Sequence, residues 1–148
     1  MKKVALSACL LGCNCRYDGA ANLNETLLQK LENYEIVPFC PEDFAFGTPR
    51  PTMDLVDNGN AIVAISNESS KNISEPILDY AKEFFEQYSD IELFIGKDRS
   101  PSCAVCSGKV YDSHKNLQHT NGVGLMARVA LDFGIECFDS EVYLSLNS

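Results

Sequence analysis

Val4-Ala5-Leu6-Ser7-Ala8-Cys9-Leu10-Leu11-Gly12 follows directly on Met1-Lys2-Lys3. Val4–Ala8 is short and apolar, and it runs into a Gly-containing loop, which is the pattern of a buried β-strand. A secretory signal also begins with positive charge and an apolar run, and a lipoprotein signal imitates Leu-Ser-Ala-Cys. Here the run is short, holds Ser7 and Cys9, and passes straight into Cys13-Asn14-Cys15-Arg16, so the strand is preferred over the signal. Cys9 then lies just past the carboxyl end of the first strand.

The rest of the chain continues that theme. Leu23–Leu31 reads as a short helix with Leu27, Leu28 and Leu31 on one face and Asn22 or Asn24 as its cap. Glu35–Cys40 reads as the second strand, ended by Pro41, and Phe44–Pro51, with Gly47, Pro49 and Pro51, as loop. Ala61–Ser66 is a third run of strand length. Ser74 is placed to cap a helix with Pro76 in its first turn, Ile73 and Leu78 as a hydrophobic staple, and Ile77, Ala81, Phe84 and Tyr88 at helical spacing. Ile91–Ile95 is the next strand, Gly96 to about Asn121 a long loop, Val123–Phe133 the last helix with Gly134 at its end, and Ile135–Phe138 a final strand. Strands alternating with helices predict an α/β fold: one domain over residues 1–148, with a mainly parallel sheet flanked by helices in a Rossmann-like three-layer arrangement. Such sheets bind ligands outside the carboxyl ends of their strands.

Bulk properties narrow the function. The 148 residues suit one core, and 45% hydrophobic with 22% charged residues is ordinary for a globular protein. A formal net charge of -9 disfavours nucleic acid and anionic membranes as partners, although Lys97, Arg99 and Lys109 flank one cysteine segment. No apolar stretch approaches the ~20 residues of a membrane helix. Seven cysteines, an odd number in a chain able to build its own core, favour metal binding or reactive thiols in a reducing cytoplasm over a disulfide framework.

Three of those cysteines are set where chemistry is expected. Cys9 follows the first strand, Cys40 ends the second, and Cys103 lies in the loop after Ile91–Ile95, so the predicted fold gathers all three on one rim. Thiolates select zinc or iron-sulfur clusters. A zinc module draws on two local pairs, and this chain has only Cys103-Ala104-Val105-Cys106 and Cys13-Asn14-Cys15. A thioredoxin-like CxxC should open a helix, whereas Ser107-Gly108 and extended structure follow here. Gly12, Pro41 and Pro101 fix the loops beside the three cysteines. Cys137, in an apolar end strand, reads as a small buried hydrophobe, and the roles of Cys13 and Cys106 stay open.

The same segments carry a resemblance. Ser7-Ala8-Cys9-Leu10-Leu11-Gly12, Cys15-Arg16-Tyr17-Asp18-Gly19, Cys40-Pro41-Glu42, Pro49-Arg50-Pro51 and Ser100-Pro101-Ser102-Cys103, in that order, resemble the thiouracil desulfidase family, long catalogued as a domain of unknown function. The resemblance spans Val4 to about Cys137 and includes Val110-Tyr111-Asp112 and Gly122-Val123-Gly124. It implies a [4Fe-4S] cluster held by Cys9, Cys40 and Cys103 with the fourth iron open, a cluster that handling in air can remove. Cys15 also matches a family position and is read as a non-ligand. Three departures lie near the site: Ala45-Phe46-Gly47 where paired glycines are usual, Ala104 after the cysteine, and Ser113 after the tyrosine-aspartate pair. They bear on the substrate more than on the cluster.

An open iron is Lewis-acidic, as a three-ligand zinc is, and a soft thiocarbonyl sulfur suits it, leaving water to attack the carbon. A base and an acid are then required. Glu42, two residues from Cys40, is the expected acid/base, and Ser100 is expected to position substrate or water. Asp18 and Arg50 are weaker candidates that equally form a structural ion pair, and His114 and His119 read as exposed. The expected function is removal of sulfur, as sulfide, from a small thiolated compound such as a thiolated pyrimidine, a step of sulfur metabolism. The alternatives are a non-catalytic carrier of sulfide or cluster, and a structural zinc module. No protein partner is indicated.

Overall fold

The computed structural model describes residues 2–11, 25–47 and 52–146, without the side chains of residues 9, 11 and 43. Two four-stranded sheets organise these residues. The first contains β1 (Lys2–Ser7), β2 (Tyr34–Phe39), β5 (Ile91–Gly96) and β8 (Glu136–Asp139), in the order β2-β1-β5-β8, with every pairing parallel. Parallel neighbours need crossovers, and helices supply them. These are α1 (Glu25–Lys30) between β1 and β2, α3 (Ser74–Gln87) before β5, and α4 (Leu125–Asp132) before β8, while α5 (Ser140–Leu146) follows β8.

Alternation along β1 sends successive side chains to opposite faces. Val4 and Leu6 join Leu93 and Ile95 of β5 under α1 (Leu27), the following Leu31, and α5 (Tyr143, Leu144). Ala5 joins Phe39 and Phe94 under α3 (Ala81, Phe84, Phe85) and α4 (Met126, Ala127, Ala130). Phe39 and Phe94 stack with centroids 4.9 Å apart, so the residue just before Cys40 is anchored in the core. This is the three-layer α/β arrangement expected from the sequence.

The second sheet comprises β3 (Met53–Asp57), β4 (Ile62–Ser66), β6 (Gly108–Asp112) and β7 (Leu117–Gly122), in the order β4-β3-β6-β7. Its Met53, Leu55, Ala64 and Val110 pack on Ile77 near the start of α3 and Leu125 at the start of α4. Both helices run back toward the amino ends of β5 and β8. Their starts, and the sheet resting on them, therefore lie on the side of the carboxyl rim.

Several local expectations change. The long loop after Gly96 contains the β6–β7 hairpin, whose turn is tied by Asp112 Oδ1 accepting the His114 and Asn116 N–H groups at 2.9 Å each. β7 is exposed along all but its last residue, so it carries no alternation for a periodicity argument to detect. The 61–66 run pairs antiparallel with β3 in the second sheet, not in the first. Part of the 44–51 loop is helical, since α2 spans Pro41–Phe46 with the Cys40 carbonyl accepting the Phe44 N–H at 3.1 Å. Ser74 is the first residue of α3 and not its cap; its hydroxyl accepts the Ala64 N–H at 2.8 Å and fastens the helix to β4. The proposed caps Asn22 and Asn24 lie outside the described residues. Gly134, at φ 77, ends α4 as expected.

Candidate active site at the carboxyl rim

The pairing registers place the three sequence segments. Ser7 is level with Phe39 across β1–β2, and Leu6 with Ile95 across β1–β5. The main chain of Cys9 lies in a turn of 3-10 helix, Ala8–Leu11, directly after the central strand β1. Cys40 directly follows β2. Cys103 sits on the end of β5, because a Cβ added to Gly96 would lie 1.8 Å from the Cys103 carbonyl oxygen. The three segments thus stand side by side at the carboxyl ends of β2, β1 and β5. The Cys9 side chain, Cys13, Cys15, Asp18 and Arg50 lie outside what is described, and among the described residues no three metal-binding side chains gather.

Ser100-Pro101-Ser102-Cys103 folds as one tight turn, and its residue types explain why. Ser100 Oγ accepts the N–H of Ser102 at 3.3 Å and of Cys103 at 3.1 Å, and its carbonyl accepts the Ala104 N–H at 3.0 Å. Ser100 therefore acts as a cap, with Pro101 in the position where its missing N–H costs nothing. The turn is gripped from behind by the start of α4. Gly124, Leu125 and Met126 give their otherwise unpaired N–H groups to the carbonyls of Ala104, Pro101 and Ser102 at 2.7, 3.1 and 2.7 Å. A Cβ on Gly124 would stand 2.5 Å from the Ser102 carbonyl carbon, so only glycine permits this approach. The result is a buried Cys103, 4% exposed, on a rigid support.

Cys40 is held by an analogous device: the residue before a proline, with its carbonyl closing the first turn of α2. Its N–H donates to the Tyr80 hydroxyl of α3 at 3.3 Å. Burial raises the Tyr80 pKa above its usual value; the Cys40 N–H bond opposes the rise, and negative charge on Cys40 or Cys103 adds to it. Tyr80 therefore remains protonated at neutral pH. Phe44 of α2 packs against the Tyr80 ring at 5.0 Å and is otherwise 73% exposed.

Glu42, half-buried on α2, meets the cysteine turn directly. Ser102 Oγ donates to Glu42 Oε2 at 2.6 Å, and Ser102 Oγ lies 3.2 Å from Ser100 Oγ and 3.3 Å from Cys103 Sγ. Glu42, Ser102, Ser100 and Cys103 consequently form one polar cluster joining the Cys40 and Cys103 segments. The expected Glu42 and Ser100 are brought together; Ser102 and Tyr80 were not singled out by the sequence. Ser102 lies within a quoted motif with no distinguishing spacing, whereas Tyr80, three residues after Ile77 and four before Phe84, shares the buried helix face and was detectable there.

The remaining cysteines separate from this cluster. Cys106 is exposed and gives its thiol to Asp139 Oδ2 at 3.2 Å. Asp139, 1% exposed, also accepts the N–H groups of Val105 at 2.7 Å and Cys106 at 2.8 Å, so it ties the far end of the loop to β8. That hydrogen bond, with burial, raises the Cys106 pKa and keeps the thiol protonated. Cys137 is half-buried on β8, and burial pushes its thiol up to about 12, as for a packed structural cysteine. His114 and His119 are exposed, as read from the sequence.

The donor set suits a thiolate-bound cluster. Cys40 and Cys103 stand at the ends of β2 and β5, and the turn carrying Cys9 begins at β1, the strand between them. A family model described as 2-thiouracil desulfurase matches residues 4–141. The uncharacterised protein YbbK of Bacillus subtilis (strain 168) is 27% identical over 139 residues, covering 88% of this chain and 91% of YbbK. A solved structure of the [4Fe-4S]-dependent thiouracil desulfidase TudS superposes with a TM-score of 0.76 at 27% identity, covering 99% of this chain and 97% of that one.

Proposed function

This chain belongs to the 2-thiouracil desulfurase family, and from that membership we propose that it is a [4Fe-4S]-dependent desulfidase that removes sulfur from a small thiocarbonyl compound, such as a thiolated pyrimidine, and releases sulfide. The observation that carries the reading is the Glu42–Ser102 hydrogen bond of 2.6 Å, which sets a carboxylate between the Cys40 and Cys103 segments. Cys9, Cys40 and Cys103 would hold the cluster. When bound, it supplies an open, Lewis-acidic iron suited to a thiocarbonyl sulfur.

The chain's own groups account for the proton traffic. Glu42 takes a proton from the attacking water and returns it to the departing sulfur. Water supplies the oxygen of the new C=O bond, the C–S bond breaks, and sulfur leaves as sulfide with no net oxidation or reduction. Ser100 organises the turn that presents Cys103 and has its hydroxyl beside Ser102, where it also meets water or substrate. Tyr80 keeps the Cys40 main chain in register by accepting its N–H. The 148 residues act as one desulfidase domain in a reducing cytoplasm, where thiolate ligands survive.

Turnover of 2-thiouracil by anaerobically purified protein tests the reading. Uracil and sulfide should appear in equal amounts, over many turnovers. Iron-loaded protein that holds sulfide but forms no uracil would instead identify a carrier.

A further inference from the structure

We propose that Ser102 is a positioning residue whose hydroxyl fixes the Glu42 carboxylate for proton transfer; this rests on the desulfidase reading above. Ser102 is 1% exposed, so its hydroxyl does not meet substrate and acts through a neighbour. A hydroxyl has one hydrogen. The 2.6 Å separation from Glu42 Oε2 falls in the range of a charge-assisted O–H···O bond, while Cys103 Sγ at 3.3 Å and Ser100 Oγ at 3.2 Å lie farther off. The hydrogen therefore points to Glu42, and the other two groups face the lone pairs of Ser102.

The Ser102 main chain is fixed on both sides, its N–H on Ser100 Oγ at 3.3 Å and its carbonyl on the Met126 N–H at 2.7 Å, with Gly124 packed against it. Glu42 lies on a six-residue helix with a long, rotatable side chain. The bond spans 60 positions of sequence, so it also registers the Cys40 segment against the Cys103 segment. A preorganised carboxylate avoids spending time in unproductive rotamers, and such an effect appears in kcat.

The test uses the full-length, anaerobically loaded protein. Ser102→Ala should lower kcat by about 10–100-fold, as loss of a supporting hydrogen bond does around metal sites, with KM changed by less than about twofold and iron retained. Ser102→Thr, which keeps the hydroxyl, should recover most of the lost kcat. In thermal melts, Ser102→Ala and Glu42→Ala should each lower Tm, and the double variant should fall no further than the worse single, because both remove the same bond. If Ser102→Thr fails to fold, the melting cycle decides. Overturning results are a Ser102→Ala kcat within about twofold of the parent, additive melting shifts, or iron loss equal to that of a Cys103 variant. Absence of thiouracil turnover in the parent would refute the desulfidase reading, whereas the melting cycle reports on the Ser102–Glu42 tie by itself.

Discussion

Cys40 directly follows β2, closes the first turn of α2 with its carbonyl, and gives its N–H to Tyr80. A substitution that keeps the backbone and removes only the sulfur therefore isolates its chemistry. Serine at Cys9, Cys40 or Cys103 should abolish or greatly reduce iron in anaerobic preparations, as read by metal analysis. Cys137→Ser should retain iron and cost about 0.5–3 kcal/mol of stability in urea unfolding, because it disturbs only a half-buried thiol bonded to the Ile135 carbonyl. Glu42→Gln preserves size and an acceptor for Ser102 but cannot exchange a proton. Single-turnover kinetics should show the chemical step about 10²–10⁴-fold slower with iron content intact. The cysteine segments drew notice because proline and glycine mark their loops, and Glu42 because of the family resemblance around Cys40-Pro41-Glu42. Ser102 was not, because its importance lies in a partner 60 residues away, and long-range pairing leaves no trace in local spacing.

Among the elements, the start of α4 decides how Cys103 is presented. The N–H groups of its cap residue Gly124 and of Leu125 and Met126 hold the carbonyls of residues 104, 101 and 102, and Gly124 lets the two backbones touch. Gly124→Ala should therefore push the Cys103 turn away, costing about 1–3 kcal/mol in urea unfolding and lowering iron content together. A stability loss with full iron would show that the turn tolerates displacement. The central strands were readable as short continuous apolar runs, and α3 because its apolar residues recur with period 3.6. Ser74 misled as a cap because a buried hydroxyl found a better partner in the Ala64 N–H. The β6–β7 hairpin was hidden by a polar strand and by a turn that uses Asp112 and a left-handed Lys115, at φ 66, instead of glycine.

The molecule as a whole places a rigid parallel sheet beneath three loops and sets a second sheet against the starts of α3 and α4, beside the same rim. The sequence predicted the first sheet and the convergence of cysteine segments on it, but not the second sheet, since neither β3 nor β7 carries a distinctive pattern. A group bound by segments following β1, β2 and β5 joins parts of the chain distant in sequence, so binding should stabilise the folded state by linkage. Anaerobically loaded protein should melt at higher temperature than the same protein stripped with a chelator; equal melting temperatures would mean that the group is held by one flexible segment. The most direct test of the three-cysteine site is iron, zinc and acid-labile sulfide analysis of anaerobically purified protein alongside its Cys9→Ser variant. The parent should contain about four irons with matching sulfide per chain, and the variant little of either. Stoichiometric zinc without iron in the parent, or undiminished iron in the variant, would contradict it.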